Sequence, residues 1–145
     1  MKILGINAAS HNTSASLVVN GELVAFAEEE RFNRDKYTMA FPDQALTFCL
    51  DQAGIEVGDV DQVAFAGDPA TEMWHSSVGA LRLAGRPWYR QWLLNQVVVT
   101  GAYKGARQRR RLHGRHGFGG AVRTVNHHLC HASSAFHCSP YEDAA

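Results

Sequence analysis

Two histidines near the end of the chain, His127 and His131, stand four apart in Asn126-His127-His128-Leu129-Cys130-His131-Ala132-Ser133-Ser134-Ala135-Phe136. On a helix, residues four apart share a face. Two neutral imidazoles on one face can ligate the same divalent metal. The small residues that follow let a bulky group come close to that face. The spacing alone also fits an ordinary surface or half-buried histidine pair. Cys130 has the chemistry of a ligand but reads first as a small buried residue.

A second cluster lies near the start. Ser10-His11-Asn12-Thr13-Ser14 forms a polar turn after an apolar segment. Hydroxyls, an amide and turn N–H groups can cradle a phosphate or carbonyl oxygen. Histidine changes charge near neutral pH, so His11 suits a general base. A third cluster is Glu28-Glu29-Glu30-Arg31-Phe32-Asn33-Arg34-Asp35-Lys36-Tyr37. There Arg31, Arg34 and Lys36 can hold anionic oxygens, arginine through a bidentate fork. Taken singly, the turn is a plain hairpin tip. The charged segment, taken singly, is a solvated loop with ion pairs worth ~0.2–1 kcal/mol each.

Elements that would position these groups follow from periodicity. Lys2 to Ala8 and Ser16 to Val19 read as strands. Asn20-Gly21 is a strong hairpin signal, because both turn positions need positive φ. Glu22 to Ala27 is then a third, antiparallel strand, and Glu28 to Met39 a charged loop. Pro42 opens a helix carrying Leu46, Cys49, Leu50 and Ala53, stopped by Gly54. Val60 to Ala66 is a strand, residues 74–104 are mostly helical, Ala121 to Val125 is a strand, and His127 to His137 is a helix. The order predicts an α/β domain. Its mixed sheet opens with a three-stranded antiparallel meander and carries helices on both faces.

Composition narrows the class. The 145 residues suit one domain and are 46% hydrophobic. No apolar run approaches bilayer length, and no signal-peptide core follows Met1. Three cysteines without a CxxC pair suit a reducing compartment, so a cytoplasmic location is expected. Formal net charge is zero, yet no Asp or Glu occurs from Met73 to Tyr141, while ten Lys and Arg do. That asymmetry suggests an anionic partner, or a basic loop whose acidic partners lie elsewhere. Arg107 to Arg115, glycine-rich at its end, reads as a mobile surface loop. A nucleic-acid partner is disfavoured, since no aromatic stacking pattern accompanies the basic run.

Taken together, three segments resemble one family. Ile3-Leu4-Gly5-Ile6 through His11-Asn12-Thr13-Ser14 to Asn20-Gly21 is similar to the opening of the carbamoyltransferases related to nodulation protein NodU and antibiotic O-carbamoyltransferases. Ala27 to Lys36 resembles their EEERF-x-R-x-K signature. Asn126 to Phe136 resembles their HHxxHAxSAF segment. The Arg-rich region 74–120 is not matched in detail.

The resemblance implies the N-terminal lobe of an actin-like, ribonuclease H-like ATPase domain, akin to the universal tRNA threonylcarbamoyl transferase subunit. The chain, 1–145, would then be cut at its C-terminal end and inactive alone, its C-terminal part missing. It implies that carbamoyl phosphate and ATP give carbamoyl-adenylate, whose carbamoyl group passes to a hydroxyl of a small molecule. His127 and His131 fall on metal-binding histidines, usually for iron, completed by a later Asp. His11 falls on the residue that deprotonates the acceptor. Lys36, Arg31, Asn12 and Ser14 fall near the nucleotide or carbamoyl intermediate. Asn12 stands where the family commonly has Asp, and Tyr37 where it commonly has His. A degenerate metal- or nucleotide-binding module and a threonylcarbamoyl-type tRNA modification subunit are the alternatives.

Overall fold

In Lys2–Asn7, Leu4 and Ile6 are buried while Ile3 and Gly5 are partly exposed, the period of two that a strand imposes. This is β1 of the computed structural model, which describes residues 1–8, 11–67 and 101–143. It is followed by β2 (Ser14–Val19), β3 (Glu22–Glu28), a short α1 (Glu30–Asn33) and α2 (Asp43–Ala53). A 3-10 turn at Val57–Asp59 precedes β4 (Gln62–Ala66), α3 (Gly101–His116), β5 (Ala121–Val125) and α4 (His127–His137). Asn20 and Gly21 have φ of 53° and 92°, so the hairpin between β2 and β3 turns as expected.

The five strands order as β3-β2-β1-β4-β5. β1, β2 and β3 pair antiparallel, whereas β1, β4 and β5 run parallel. Register puts Leu4 between Leu17 and Val63, and Ile6 between Ala15 and Phe65. Ala25 and Ala27 extend those rows onto β3. All eight side chains therefore share one face, and all are buried. Ala45, Leu46, Cys49 and Leu50 of α2 close over that face. The mixed α/β sheet with an antiparallel opening is as the sequence predicts. The region 74–104, read as helical, lies outside the described residues except for the start of α3.

One expectation is overturned. Arg107 to Arg115 is not a loop but the body of α3. Its residues are mostly Arg, Gln and Leu, good helix formers, and Leu112 is fully buried. The helix ends in an αL motif, with Gly117 at φ 70°. The Phe118 N–H donates to Leu112 O and the Gly117 N–H to His113 O. Phe118 is buried in the same core as Leu112. The glycines that suggested mobility mark a helix end. Basic groups in the last turn also complement the helix dipole.

Candidate functional site

Because β1, β4 and β5 are parallel, their carboxyl ends lie along one edge of the sheet. β2 begins and β3 ends at the same edge, as the pairs Asn7↔Ser14 and Ser14↔Glu28 show. Every residue singled out from sequence follows one of these ends or sits on it. His11 and Asn12 follow β1, Ser14 starts β2, Arg31 and Lys36 follow β3, and His127 and His131 follow β5. In α/β sheets, ligands bind outside the carboxyl ends of the strands, where loops converge. β1 and β5 are two strand spacings apart, so the His11 turn and α4 start about 10 Å from each other.

The His11 turn and the charged Glu28–Tyr37 segment form one unit. The Glu29 N–H donates to Thr13 O at 2.9 Å, and the Thr13 N–H to Thr38 O at 3.5 Å. Thr13 is fully buried between the two ends of the charged segment. The His11 and Tyr37 rings meet edge to face, 6.4 Å between centroids. Asn12 and Tyr37 both adopt positive φ, 59° and 57°. Asn7 Nδ2 donates to Asn12 O at 3.1 Å, tying the turn to the end of β1. His11 Nδ1 lies 2.6 Å from Asn12 Oδ1. Arg31, Arg34, Lys36 and Tyr37 are all exposed, so the basic groups face outward at this edge.

Glu28 to Lys36 is therefore not merely a solvated loop. Glu29 is only 3% exposed, and its carboxylate accepts from the Ala45 N–H at 2.8 Å and the Gln44 N–H at 3.0 Å. It caps α2 from another segment, since Pro42 at the N-cap makes no side-chain cap bond. Sequence reading missed this role. The available signal was a helix start, Pro42-Asp43-Gln44, without a local capping hydroxyl or amide.

At the far edge, Asn126 caps α4, its Oδ1 accepting from the His128 and Leu129 N–H groups at 3.0 and 3.2 Å. The cap sets the first turn, from which His127 and His131 project together. Their Nε2 atoms are 3.1 Å apart and the rings stand at 86°. Two imidazoles ligating one ion at ~2.0–2.1 Å place their nitrogens about 3–3.4 Å apart, so the pair fits a shared metal. No group of three or more His, Cys, Asp or Glu suited to a metal occurs among the described residues. The pair by itself offers at most two of the ligands that a metal centre needs. The His128 ring meets that of His127 edge to face, 5.9 Å between centroids. Cys130 is half-buried, and burial pushes its thiol pKa upward.

α3 is tied to α2 by a charge cluster. Asp43 Oδ2 accepts from Arg111, and Arg115 Nη1 lies 3.2 Å from the same oxygen. His116 Nε2 is 2.8 Å from Asp43 Oδ1. The guanidinium of Arg111 also sits over the Phe41 ring, 5.4 Å from its centroid. Burial opposes ionisation of Asp43, but hydrogen bonds from His116 and Arg111 and the charges of Arg111 and Arg115 outweigh it. The carboxyl is held below its ordinary value. The basic stretch thus has an acidic partner in this chain. Gln108 Nε2 donates to Ala8 O at 2.7 Å, bringing α3 to the carboxyl end of β1. A groove lined by Ala8, Met39, Phe41, Arg107 and Arg111 opens there.

A mixed sheet that carries a histidine turn, a basic loop and a histidine pair at the carboxyl ends of its strands defines an α/β lobe with its candidate groups gathered on one edge. Residues 2–145 match the family described as "Carbamoyltransferase N-terminus", and the chain belongs to that family. It is 32% identical to the uncharacterized protein sll1178 of Synechocystis sp., a match covering 99% of this chain and 24% of that protein. It is 29% identical to nodulation protein NolNO of Sinorhizobium fredii, over 95% of this chain and 19% of that protein. The chain thus spans less than a quarter of the length of either relative. Among solved structures, it is similar to an uncharacterized protein resembling peptidase YEAZ from Pseudomonas aeruginosa. There the TM-score is 0.43 and identity 16%, over 86% of this chain and 43% of the other.

Proposed function

We propose that this chain is the N-terminal lobe of an ATP-dependent O-carbamoyltransferase. In this reading, carbamoyl phosphate and ATP give carbamoyl-adenylate, and the carbamoyl group passes to a hydroxyl of a small-molecule acceptor. Family membership supports the reaction class. The observation that carries the site is the Nε2 pair of His127 and His131, 3.1 Å apart, on the same sheet edge as His11.

His11 takes the acceptor proton. Lys36 and Arg31 neutralise anionic oxygens of the nucleotide or carbamoyl intermediate, and Asn12 and Ser14 line the turn beside them. His127 and His131 hold a divalent metal, iron by resemblance, with the remaining ligand from chain further along. A bound dication supplies Lewis-acid polarisation of the carbamoyl carbonyl and charge neutralisation at phosphate. A carbamoyl–phosphate anhydride hydrolyses in water, so the site must be closed. An open sheet edge does not enclose it, and the rest of a longer protein is needed for activity. No helix among the described residues is long and apolar enough to cross a membrane.

The test is pyrophosphate release from ATP on addition of carbamoyl phosphate to the full-length, metal-loaded protein. Absence of release there defeats the proposal. Dependence on tRNA in the same assay supports a threonylcarbamoyl-type subunit instead. The two-ligand histidine pair favours, as a second reading, a module that binds metal or nucleotide without chemistry. That reading gains if metal binds but no pyrophosphate appears.

A further inference from the structure

Beside the His11 turn, a groove of ≈ 280 Å³ runs between the segment Met39 to Phe41 and α3. One wall is apolar. Ala8, Met39, Ala40 and Phe41 line it, with Phe41 buried and Met39 66% exposed. The other wall is α3, which presents Arg107 and Arg111 one helical turn apart. Arg111 has its counter-charge in Asp43 and packs on the Phe41 ring. Arg107 has no ion pair or hydrogen bond among the described residues. The groove therefore combines an apolar wall, an exposed thioether side chain and an uncompensated guanidinium.

The sheet fixes its position. Gln108 bonds Ala8 O at 2.7 Å and holds α3 against the end of β1. Ala8 is three residues from His11, so their Cα atoms are at most about 11 Å apart. Met39 is two residues from Tyr37, whose ring meets that of His11 at 6.4 Å between centroids. Groove and turn are therefore neighbours on the same edge.

We propose that this groove is a carboxylate subsite for the acceptor. Arg107 binds a carboxylate of the small molecule whose hydroxyl receives the carbamoyl group, and Met39 and Phe41 pack on its apolar body. Charge selects the ligand. A guanidinium fork matches the two oxygens of a carboxylate, and one uncompensated cation matches a monoanion. A phosphate dianion brings a second charge for which the groove has no free cation, with the Asp43 carboxylate beside Arg111. Apolar contact supplies area, and the ion pair fixes orientation. The acceptor role rests on the carbamoyl-transfer reading, whereas the carboxylate site stands on the groove alone.

The probe is 4-(hydroxymethyl)benzoate, which carries a hydroxyl, a ring and a carboxylate. The neutral comparison is 4-(hydroxymethyl)benzamide. Titration of the 145-residue chain, followed by NMR at the Met39 methyl and the Arg107 Nε–H, reads binding without turnover. Saturable shifts at both signals are expected with the acid, and binding roughly 10-fold weaker or more with the amide. Arg107→Gln should abolish the preference and bring the acid to the affinity of the amide. Arg109→Gln, on another face of α3, should keep the preference. Equal binding of acid and amide, a preference that survives Arg107→Gln, or no saturable shift overturns the site. Tighter binding of phenyl phosphate than of the acid overturns the choice of carboxylate. In the full-length protein with ATP and carbamoyl phosphate, carbamate should form on the acid at a lower KM than on the amide. Pyrophosphate release without that preference overturns the acceptor role. No pyrophosphate release at all defeats the transfer reading and leaves the binding result standing.

Discussion

The carboxylate of Glu29 accepts from the backbone N–H of Ala45 at 2.8 Å, across a gap of sixteen residues in sequence. One buried charge therefore both caps α2 and anchors the loop that presents Arg31 and Lys36. Glu29→Ala removes the cap and leaves N–H groups of the first turn without their partner. A loss of roughly 2–3 kcal/mol in urea denaturation is expected. Glu29→Gln keeps the shape and loses the charge, and should cost about 1 kcal/mol. Equal, negligible losses in both variants would show that the cap does not support the loop.

Asp43 joins α2 to α3 through Arg111, Arg115 and His116. Its folded-state pKa is lowered, so its stabilisation is complete above the ordinary carboxylate value of 3.8 and is lost as pH falls through the lower folded value. An acid titration followed by circular dichroism should show α3 separating below that value. Asp43→Asn should cost roughly 1–3 kcal/mol at neutral pH and abolish this acid step. A step that persists in Asp43→Asn would assign acid lability to another carboxyl.

Cysteine reactivity should follow burial. Cys49 is fully buried, its Sγ–H donates to Ala15 O at 3.4 Å, and burial pushes its thiol up to about 11. Cys138 is exposed. The thiolate is the reactive form, so iodoacetamide at pH about 8 should label Cys138 first, Cys130 slowly and Cys49 only on unfolding. Peptide mass spectrometry of the alkylated chain reads the order directly. Early labelling of Cys49 would contradict the packing of α2 on the sheet.

Metal binding should need both members of the α4 pair. His127→Ala and His131→Ala should each remove bound divalent metal from the purified chain, whereas His128→Ala should retain it, by elemental analysis after dialysis. Acidification should also release the metal, because a proton competes for each Nε2. Unchanged metal content in both single variants would move the site elsewhere.

In the full-length protein, the two halves of the proposed reaction should separate by residue. His11→Ala should lower carbamoyl transfer by roughly 10²-fold or more while pyrophosphate release continues. Lys36→Ala should lower pyrophosphate release. Parallel loss of both steps in His11→Ala would show that His11 supports binding and is not the acceptor base.

How much was legible in the sequence follows the range of the forces involved. Strand alternation, the Asn20-Gly21 turn, the Gly54 stop and the span His127–His137 are short-range properties, encoded by neighbouring residues, and each stands as read. The gathering of His11, Lys36 and His127 at one sheet edge was carried only by the resemblance. The reason they gather is parallel pairing of β1, β4 and β5, which the chain makes across long separations. The Glu29 cap and the Asp43 cluster were invisible for the same cause. A carboxylate chooses its partners from whatever tertiary packing brings near, and no local pattern names them. Arg107 to Arg115 looked like a loop because its glycines stand out; burial of Leu112 and Phe118 made it a helix end. The chain by itself thus determined its elements and its chemical inventory, and only the packed sheet decided which groups meet.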